Sequence, residues 1–447
     1  MTEHQTAVLQ QCTHNRAEVV AASRFFNNDR VKIEALIEAL VEKTKPLVDR
    51  RHVLCIQDTS EINYSAHAGR LKASDVELGP LAKSRDVGFF LHPSLVLDAQ
   101  TGFALGYGDI HLWNRRWHQA DKHQRRYKSL PIEQKESYRW IAASLRTKAA
   151  LTGAAHRTII ADREGDIFEE FATVPDAQTD VLIRSRCDRR IETEAGSALL
   201  YGYVAALPLQ GRFDLKIKQR PGRRARQACL EVRFGAVSVQ RPQTGVHATD
   251  VPEQVRLWAV ELRESSETVP EGEEPILWRL LTTHRVAVLE AALEVALWYS
   301  WRWWIEQLFR LLKSEGLALE SSQLQTGSAL KKLCVLSLEV ALVLLQLVTE
   351  RDGDYGAPAS MVFTASEEEM LRVLQRRYEG KTAKQRCGHA AGSLAWAAWV
   401  LGRLGGWTGY ARASPPGPIT MRRGLDRFMS QYEGWLLAQH GRTNNYS

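Results

Sequence analysis

Residues Trp298 to Glu320 read WYSWRWWIEQLFRLLKSEGLALE, with no helix-breaking residue before Gly316. An α-helix turns by about 100° per residue, so this stretch would separate its side chains onto two walls. The polar wall carries Tyr299, Arg302, Glu306 and Lys313. The opposite, apolar wall carries Trp301, Ile305, Leu308 and Leu312. The stretch therefore predicts a helix with one side buried in a core and the other side available for chemistry.

The polar wall combines groups that suit a phosphodiester. A carboxylate can bind a divalent metal ion, while Arg and Lys side chains neutralise phosphate oxygens. An ordinary solvated helix face is the alternative, because polar stripes at this spacing usually face water. The rest of the sequence has to decide between a phosphodiester-binding surface and a solvated helix face.

Length and charge limit the possibilities. The 447 residues are too many for one compact core and predict two to four domains. Hydrophobic residues (44%) and charged residues (25%) occur at the frequencies of a soluble globular protein. The net charge of +7 favours a polyanionic partner such as DNA.

The six cysteines lie far apart without a CxxC pair, so the sequence predicts neither a zinc site nor a disulfide framework. A reducing, cytoplasmic location is expected, and the first residues lack a signal-peptide pattern. The most apolar run, Leu333 to Val348, contains Glu339 and Gln346 and is short for a membrane span. We expect a buried core helix there and no membrane partner.

Two acidic residues directly follow strand-like runs. Asp58 comes after Val53–Ile56, and Asp162 comes after Arg157–Ala161. A rigid strand that delivers a carboxylate at its end is a common way to build a metal site. Turn formation or helix capping would also explain an Asp at either position.

The pattern along the chain predicts five parts. They are a helical region (1–50), the first part of an α/β core (51–177), a β-rich insertion (178–284), the second part of the core (285–350) and a helical C-terminal region (360–447). The insertion contains the densest basic segment, Lys216 to Arg226. That segment is either a solvated hairpin tip or a contact with the DNA backbone.

The spacing Tyr299-x2-Arg302-x3-Glu306-x6-Lys313 resembles the Tyr-Arg-Glu-Lys signature of cut-and-paste DNA transposases of the insertion-sequence-four type. Together with Asp58 and Asp162, Glu306 would complete the Asp-Asp-Glu triad of that family. The resemblance covers nearly the whole chain. Further matching segments are Ser23-Arg24-Phe25, Lys135-Glu136-Ser137, Arg184-Ser185-Arg186, Gly392-Ser393-Leu394-x-Trp396 and Arg403-Leu404-Gly405-Gly406, with Trp278 placed before Tyr299 as in relatives.

The resemblance implies an RNase H-like core, a mixed sheet flanked by helices, interrupted by the β-rich insertion. It implies that Asp58, Asp162 and Glu306 are catalytic and hold two Mg²⁺ ions, with Mn²⁺ as a substitute. The implied DNA-binding residues are Tyr299, Arg302, Lys313, Arg184, Arg163 and Trp278. Trp278 would stack on a base flipped from the duplex; its apolar neighbours also allow a core position.

The implied activity is metal-dependent transposition in four steps: end nicking, hairpin formation, hairpin opening and transfer of the 3′ ends into target DNA. A homodimer in a synaptic complex, joined through residues 360–447, would act on double-stranded transposon ends in the bacterial cytoplasm. Relatives usually carry more residues before the segment matching Ala17 to Leu36. The alternative function is therefore an N-terminally shortened, non-productive partner that inhibits a full-length transposase. A general RNase H-like nuclease would leave Trp278 and the basic insertion unexplained.

Overall fold

The computed structural model describes residues 16–71, 75–82, 85–117, 129–193, 196–217, 224–243, 246–382, 385–410 and 414–443. Within these ranges thirteen strands form one mixed sheet flanked by helices. The strands are β1 (His52–Gln57), β2 (Ser60–Asn63), β3 (Gly79–Pro80), β4 (Val87–Asp98), β5 (Ala104–Trp113), β6 (His156–Ala161), β7 (Thr179–Arg184), β8 (Arg190–Thr193), β9 (Gly196–Leu199), β10 (Gly211–Ile217), β11 (Arg226–Gln240), β12 (Gln254–Glu264) and β13 (Leu277–Thr282).

The α-helices of the described ranges surround this sheet and build the C-terminal region. They are α1 (Arg16–Phe26), α2 (Ile33–Val48), α3 (Tyr138–Ala150), α4 (Phe168–Thr173), α5 (Leu200–Ala206), α6 (Leu289–Trp301), α7 (Trp303–Arg310), α8 (Gly327–Glu350), α9 (Ala365–Tyr378), α10 (Leu394–Leu404) and α11 (Pro418–Thr443).

The centre of the sheet is mixed in direction. Strand β1 pairs in parallel with β6 and antiparallel with β4, and β6 pairs in parallel with β7. Strand β7 then pairs antiparallel with β13, which is followed by β12 and β11. The strands of the predicted insertion therefore continue the same sheet as the strands that carry the two acids.

The N-terminal part of the chain folds as its pattern predicts. Helices α1 and α2 lie in the region 1–50 that was predicted to be helical. Strands β4 and β5 form a hairpin, and helix α3 begins at Tyr138 after a separate 3₁₀ turn over Ile132–Gln134.

Helix α8 contains the predicted buried helix. Among the described helices it is the one long and apolar enough to cross a membrane, yet 67% of its most apolar window is buried inside the protein. The Nζ of Lys332 donates to two backbone carbonyls, those of Phe26 and Asn28, so even its charged side chains are used for packing. The position is that of a core helix.

The helix that carries the polar wall is less regular than predicted. Arg302 separates α6 from α7, and Leu311–Glu315 form a π-helical turn that ends at Gly316. At Gly316 the backbone folds back closely, because a Cβ there would lie 2.5 Å from the carbonyl oxygen of Leu311. The prediction of one regular helix was wrong in this respect. Of the predicted apolar wall, Ile305, Leu308 and Leu312 are fully buried, and Trp301 is partly buried against the core.

Candidate active site

Asp58 and Asp162 lie at the same edge of the sheet. Strands β1 and β6 are parallel, and Ile56 pairs with Ile160, so each Asp follows two residues after this last pair. Neighbouring strands lie about 4.8 Å apart, which brings the two carboxylates side by side. Each side chain also accepts a local backbone N–H: Asp58 from Thr59 at 2.7 Å, and Asp162 from Glu164 at 2.8 Å.

Glu306 joins these acids through Arg302. The Nη1 of Arg302 donates to Asp58 Oδ2 at 3.0 Å, and its Nη2 donates to Glu306 Oε1. One guanidinium group spans both contacts, so the two acceptor oxygens lie no more than about 8 Å apart. Helix α7 therefore places the third carboxylate beside the strand ends that carry the first two.

The electrostatics of the cluster favour a bound cation. The pKa of Asp58 is raised to about 6. Burial is the largest cause, Arg302 opposes it, and the charges of Asp162 and Glu306 add to it. Burial alone would lower the pKa of Arg302, but Tyr299 and the three acids raise it above its ordinary value. Arg302 contacts Asp58 and Glu306, and the charge of Asp162 acts on it from nearby. Carboxylate oxygens of this kind suit Mg²⁺ and Mn²⁺.

A scan of the chain against models of known protein families finds no match. What the protein does must therefore be inferred from the position of its side chains.

Tyr299, Arg184 and Trp278 form one contiguous group beside the acids. The ring of Tyr299 meets that of Trp278 edge-on, with centroids 5.2 Å apart. Burial raises the pKa of Tyr299, and the nearby charges of Arg302 and Arg184 oppose this rise. Arg184 donates to the carbonyl of Leu277 at 2.8 Å. Tyr299 is only 4% exposed, so it supports the group from inside rather than presenting a free phenol.

Trp278 is half-buried, with Arg184 lining the same open groove. Part of the ring packs against the hydrophobic core. The rest of its surface faces the groove, which leaves room for a second flat partner. The position therefore fits both core packing and the predicted stacking role.

Lys313 and Arg163 lie further out. The Nζ of Lys313 is 3.8 Å from Glu320 Oε1, and this carboxylate also accepts from the backbone N–H of Asn63. Lys313 lies within the π-helical turn Leu311–Glu315. Arg163 is exposed directly after Asp162.

Arg139 is a neighbour of the site that the sequence reading missed. Its Nε donates to Thr59 Oγ1 at 3.0 Å, and its Nη2 donates to Glu164 Oε2 at 2.6 Å. Thr59 directly follows Asp58, and Glu164 lies two residues after Asp162. The available signal was its position next to the Lys135-Glu136-Ser137 segment, but a lone Arg in a helix does not reveal which strands the helix packs against.

The basic segment of the insertion is only partly described. Residues 218–223 lie outside the described ranges. Arg226 is 9% exposed at its side chain and pairs with Glu264 at 2.8 Å and with Glu273 at 2.6 Å. Because these carboxylates and the surrounding chain enclose it, the reading of Arg226 as a DNA-backbone contact was wrong.

Proposed function

We propose that the chain is a metal-dependent DNA transposase of the cut-and-paste type, with an RNase H-like catalytic core. The observation that carries the proposal is the meeting of Asp58, Asp162 and Glu306 around one arginine at the edge of a mixed sheet. The three acids are far apart in the sequence. Their convergence favours a catalytic role for the polar wall over the alternative of an ordinary solvated helix face.

The three carboxylates would hold two Mg²⁺ ions, with Mn²⁺ as a substitute. When bound, such ions activate an attacking water or 3′-hydroxyl and stabilise the leaving oxygen of a phosphodiester. Every donor in the set is a carboxylate oxygen, the ligand type that hard divalent cations prefer.

Arg302 has a role that follows from its present partners. A cation bound to Asp58 and Glu306 would satisfy the negative charge that the guanidinium now neutralises. Arg302 would then be able to donate its N–H groups to a phosphate of the DNA, for which the planar guanidinium is well suited. Arg184, Arg163 and Lys313 would add positive charge along the same strand.

Trp278 would stack on a base that leaves the duplex when the DNA end closes as a hairpin. Extrusion of a base costs a few kcal/mol, and stacking on an aromatic face offsets part of this cost. The edge-on contact with Tyr299 fixes the orientation of the indole, so little conformational freedom would be lost on binding.

The proposed partners are double-stranded transposon ends, target DNA and a second copy of the chain in a synaptic complex. The helical region 360–447 would supply the dimer contact. The described cysteines are free, in keeping with the proposed bacterial cytoplasm.

The direct test uses the full chain with linear DNA taken from either side of its coding sequence, with Mg²⁺ or Mn²⁺ added. Denaturing gels would resolve nicked, hairpin and strand-transfer products. We expect Glu306→Gln to abolish all three while DNA binding persists, because Gln is nearly isosteric but cannot carry the charge. The matched control is Glu294→Gln, an exposed acid on α6 that should leave cleavage unchanged.

Two outcomes would overturn parts of this proposal. Cleavage by Glu306→Gln at the wild-type rate would remove Glu306 from the metal site. A wild-type chain that binds the ends and blocks an active transposase, but cuts nothing with either ion, would support the inhibitory partner instead.

A further inference from the structure

Three histidines meet at the ends of the central strands that lie opposite to the acids. His52 and His156 are paired at the first positions of the parallel strands β1 and β6. His284 follows two residues after β13, and Asp180 lies in β7. Strands β1, β6, β7 and β13 are neighbours in the sheet, in this order. The first three each contribute one side chain to the cluster, and the loop after β13 contributes His284.

The three imidazoles are spaced slightly more widely than around a bound metal ion. One ring nitrogen from each histidine lies within 4.8 Å of the other two. The ring centroids are 4.9 Å apart for His52–His156, 6.0 Å for His52–His284 and 5.6 Å for His156–His284. Around a tetrahedral Zn²⁺ with nitrogens at about 2.1 Å, imidazole centroids lie about 5 Å apart. Small side-chain rotations would therefore bring all three nitrogens to one ion.

Asp180 orients two of the rings. Its Oδ2 accepts from His156 Nε2 at 2.9 Å and lies 3.2 Å from His284 Nδ1, while Oδ1 accepts from Thr283 Oγ1 at 2.6 Å. A carboxylate that binds the N–H of an imidazole fixes its tautomer and makes the other nitrogen a better ligand. This arrangement is typical of the surroundings of metal-bound histidines.

The hydrogen-bond network leaves one lone pair on each histidine. Asp180 can only accept, so His156 Nε2 and His284 Nδ1 carry protons, and His284 Nε2 accepts from Thr158 Oγ1 at 2.7 Å. That hydroxyl, having donated its proton, accepts from His52 Nε2 at 2.8 Å. The remaining Nδ1 atoms of His52 and His156 have no hydrogen-bond partner among the described residues. Two lone pairs are thus uncommitted, and the third is held by an exchangeable hydroxyl.

The surroundings cover the rings but leave one of them accessible. The indole of Trp298 covers one side, with its centroid 4.9 Å from His52 and 5.0 Å from His284. His156 keeps 27% of its side chain exposed, which provides an entry path.

We propose that His52, His156 and His284 bind one first-row transition-metal ion of the zinc type, with a water as fourth ligand. Imidazole nitrogens favour such ions over Mg²⁺, so the site differs chemically from the carboxylate cluster. The length of β1 places the two sites about 20 Å apart. The ion would tie together the central strands, including β13, which carries Trp278. The proposal does not depend on transposase activity.

The test measures metal binding by the full chain, freed of metal with a chelator and kept reduced in excess Mg²⁺. We expect one Co²⁺ or Zn²⁺ per chain by calorimetry, visible absorption bands of four-coordinate Co²⁺, and three imidazole ligands by X-ray absorption. His156→Gln and His284→Gln should each weaken binding by about tenfold or more. His67→Gln, outside the cluster, and Asp58→Asn, in the acid cluster, should bind as the wild type does.

Two results would overturn the proposal. One is a wild-type chain that takes up neither ion, and the other is triad variants that bind with unchanged affinity. If the variants fail to fold, the wild-type X-ray absorption spectrum decides alone: sulfur ligands would assign the metal to cysteines such as the exposed Cys187, and oxygen-only ligands to the acids. DNA cleavage is not a readout here, so failure of this proposal and failure of the proposed function remain distinguishable.

Discussion

Arg302 and Asp58 form an ion pair at the centre of the candidate site, with Nη1 of the first 3.0 Å from Oδ2 of the second. The same guanidinium contacts Glu306 one helical turn later. Arg302 therefore satisfies two of the carboxylates that a metal ion would bind. A metal ion and this side chain compete for the same negative charge, and the competition can be measured.

Arg302→Met should make the protein less stable without metal and more responsive to it. Loss of the guanidinium leaves carboxylates unpaired, which we expect to cost about 1–3 kcal/mol of unfolding free energy. Mg²⁺ or Mn²⁺ would then have no competitor and should raise the melting temperature more than in the wild type. Thermal unfolding with and without each ion tests this. Arg285→Met, an exposed control, should show the wild-type response; an equal response in Arg302→Met would mean that metal and Arg302 do not compete.

A buried carboxyl outside the site predicts a pH-dependent stability. Glu170 on α4 is 1% exposed; its Oε1 accepts from Ser144 at 2.6 Å, and its Oε2 has no partner among the described residues. Burial raises its pKa from 4.5 to about 7, against the opposing effects of Ser144 and Lys148. The folded state thus prefers the protonated form. This contribution to stability is complete below pH 4.5 and is lost as the pH rises through 7.

Glu170→Gln should remove that dependence. The shift corresponds to roughly 3 kcal/mol of unfolding free energy between pH 4.5 and pH 8, and a neutral amide cannot lose a proton. Urea unfolding at pH 5 and pH 8 would compare the variant with the wild type. We expect the difference between the two pH values to shrink in Glu170→Gln and to persist in the exposed control Glu294→Gln. An unchanged difference would assign the dependence to other groups.

The sequence predicted the elements that carry the acids, and the reason is local. The runs before Asp58 and Asp162 are short, apolar and rich in β-branched residues, which is the pattern of a buried strand whatever it packs against. The buried wall of Ile305, Leu308 and Leu312 likewise follows from helical spacing alone. What local pattern does not contain is the pairing of β1 with β6 that sets the two acids side by side.

Other features depend on such long-range register and could not be predicted. His52, His156 and His284 meet only because of the strand order, and each alone resembles an ordinary strand-end residue. The apolar residues of the stretch from Trp298 to Glu320 recur as in a regular α-helix, so their spacing does not reveal the π-helical turn at Leu311–Glu315. The burial of Tyr299 could not be predicted either, because it is buried partly by Trp278, which lies on a strand outside the helical stretch.

A glycine in the β4–β5 hairpin lies against Trp301, the last residue of α6. Gly102 has φ +76°, and a Cβ there would lie 2.7 Å from the ring of Trp301, the residue before Arg302. We expect Gly102→Ala to cost about 2–4 kcal/mol of unfolding free energy, from the left-handed backbone and from overpacking. Gly272→Ala is the matched control, because its φ of +79° is similar and no heavy atom lies near its Cβ position.

Urea unfolding of both variants separates the two causes. Gly272→Ala should show only the backbone cost, so Gly102→Ala should be less stable by a further 1–3 kcal/mol or so. Because Trp301 has to move, DNA cleavage should also fall in Gly102→Ala but not in the control. Equal losses of stability in the two variants would show that the Trp301 ring gives way without strain.

Substitutions of Trp278 distinguish most clearly between a role in packing and a role in stacking on a DNA base. Under the proposed function, Trp278→Ala should leave first-strand nicking close to wild type and slow hairpin formation about tenfold to a hundredfold. This range corresponds to the 1–3 kcal/mol that stacking of one base on an aromatic ring contributes. Trp278→Phe keeps an aromatic face and should recover most of the rate. Single-turnover assays would follow the nicked and hairpin species separately. If both steps slow equally in Trp278→Ala, and the melting temperature falls with them, the indole serves only to support Tyr299.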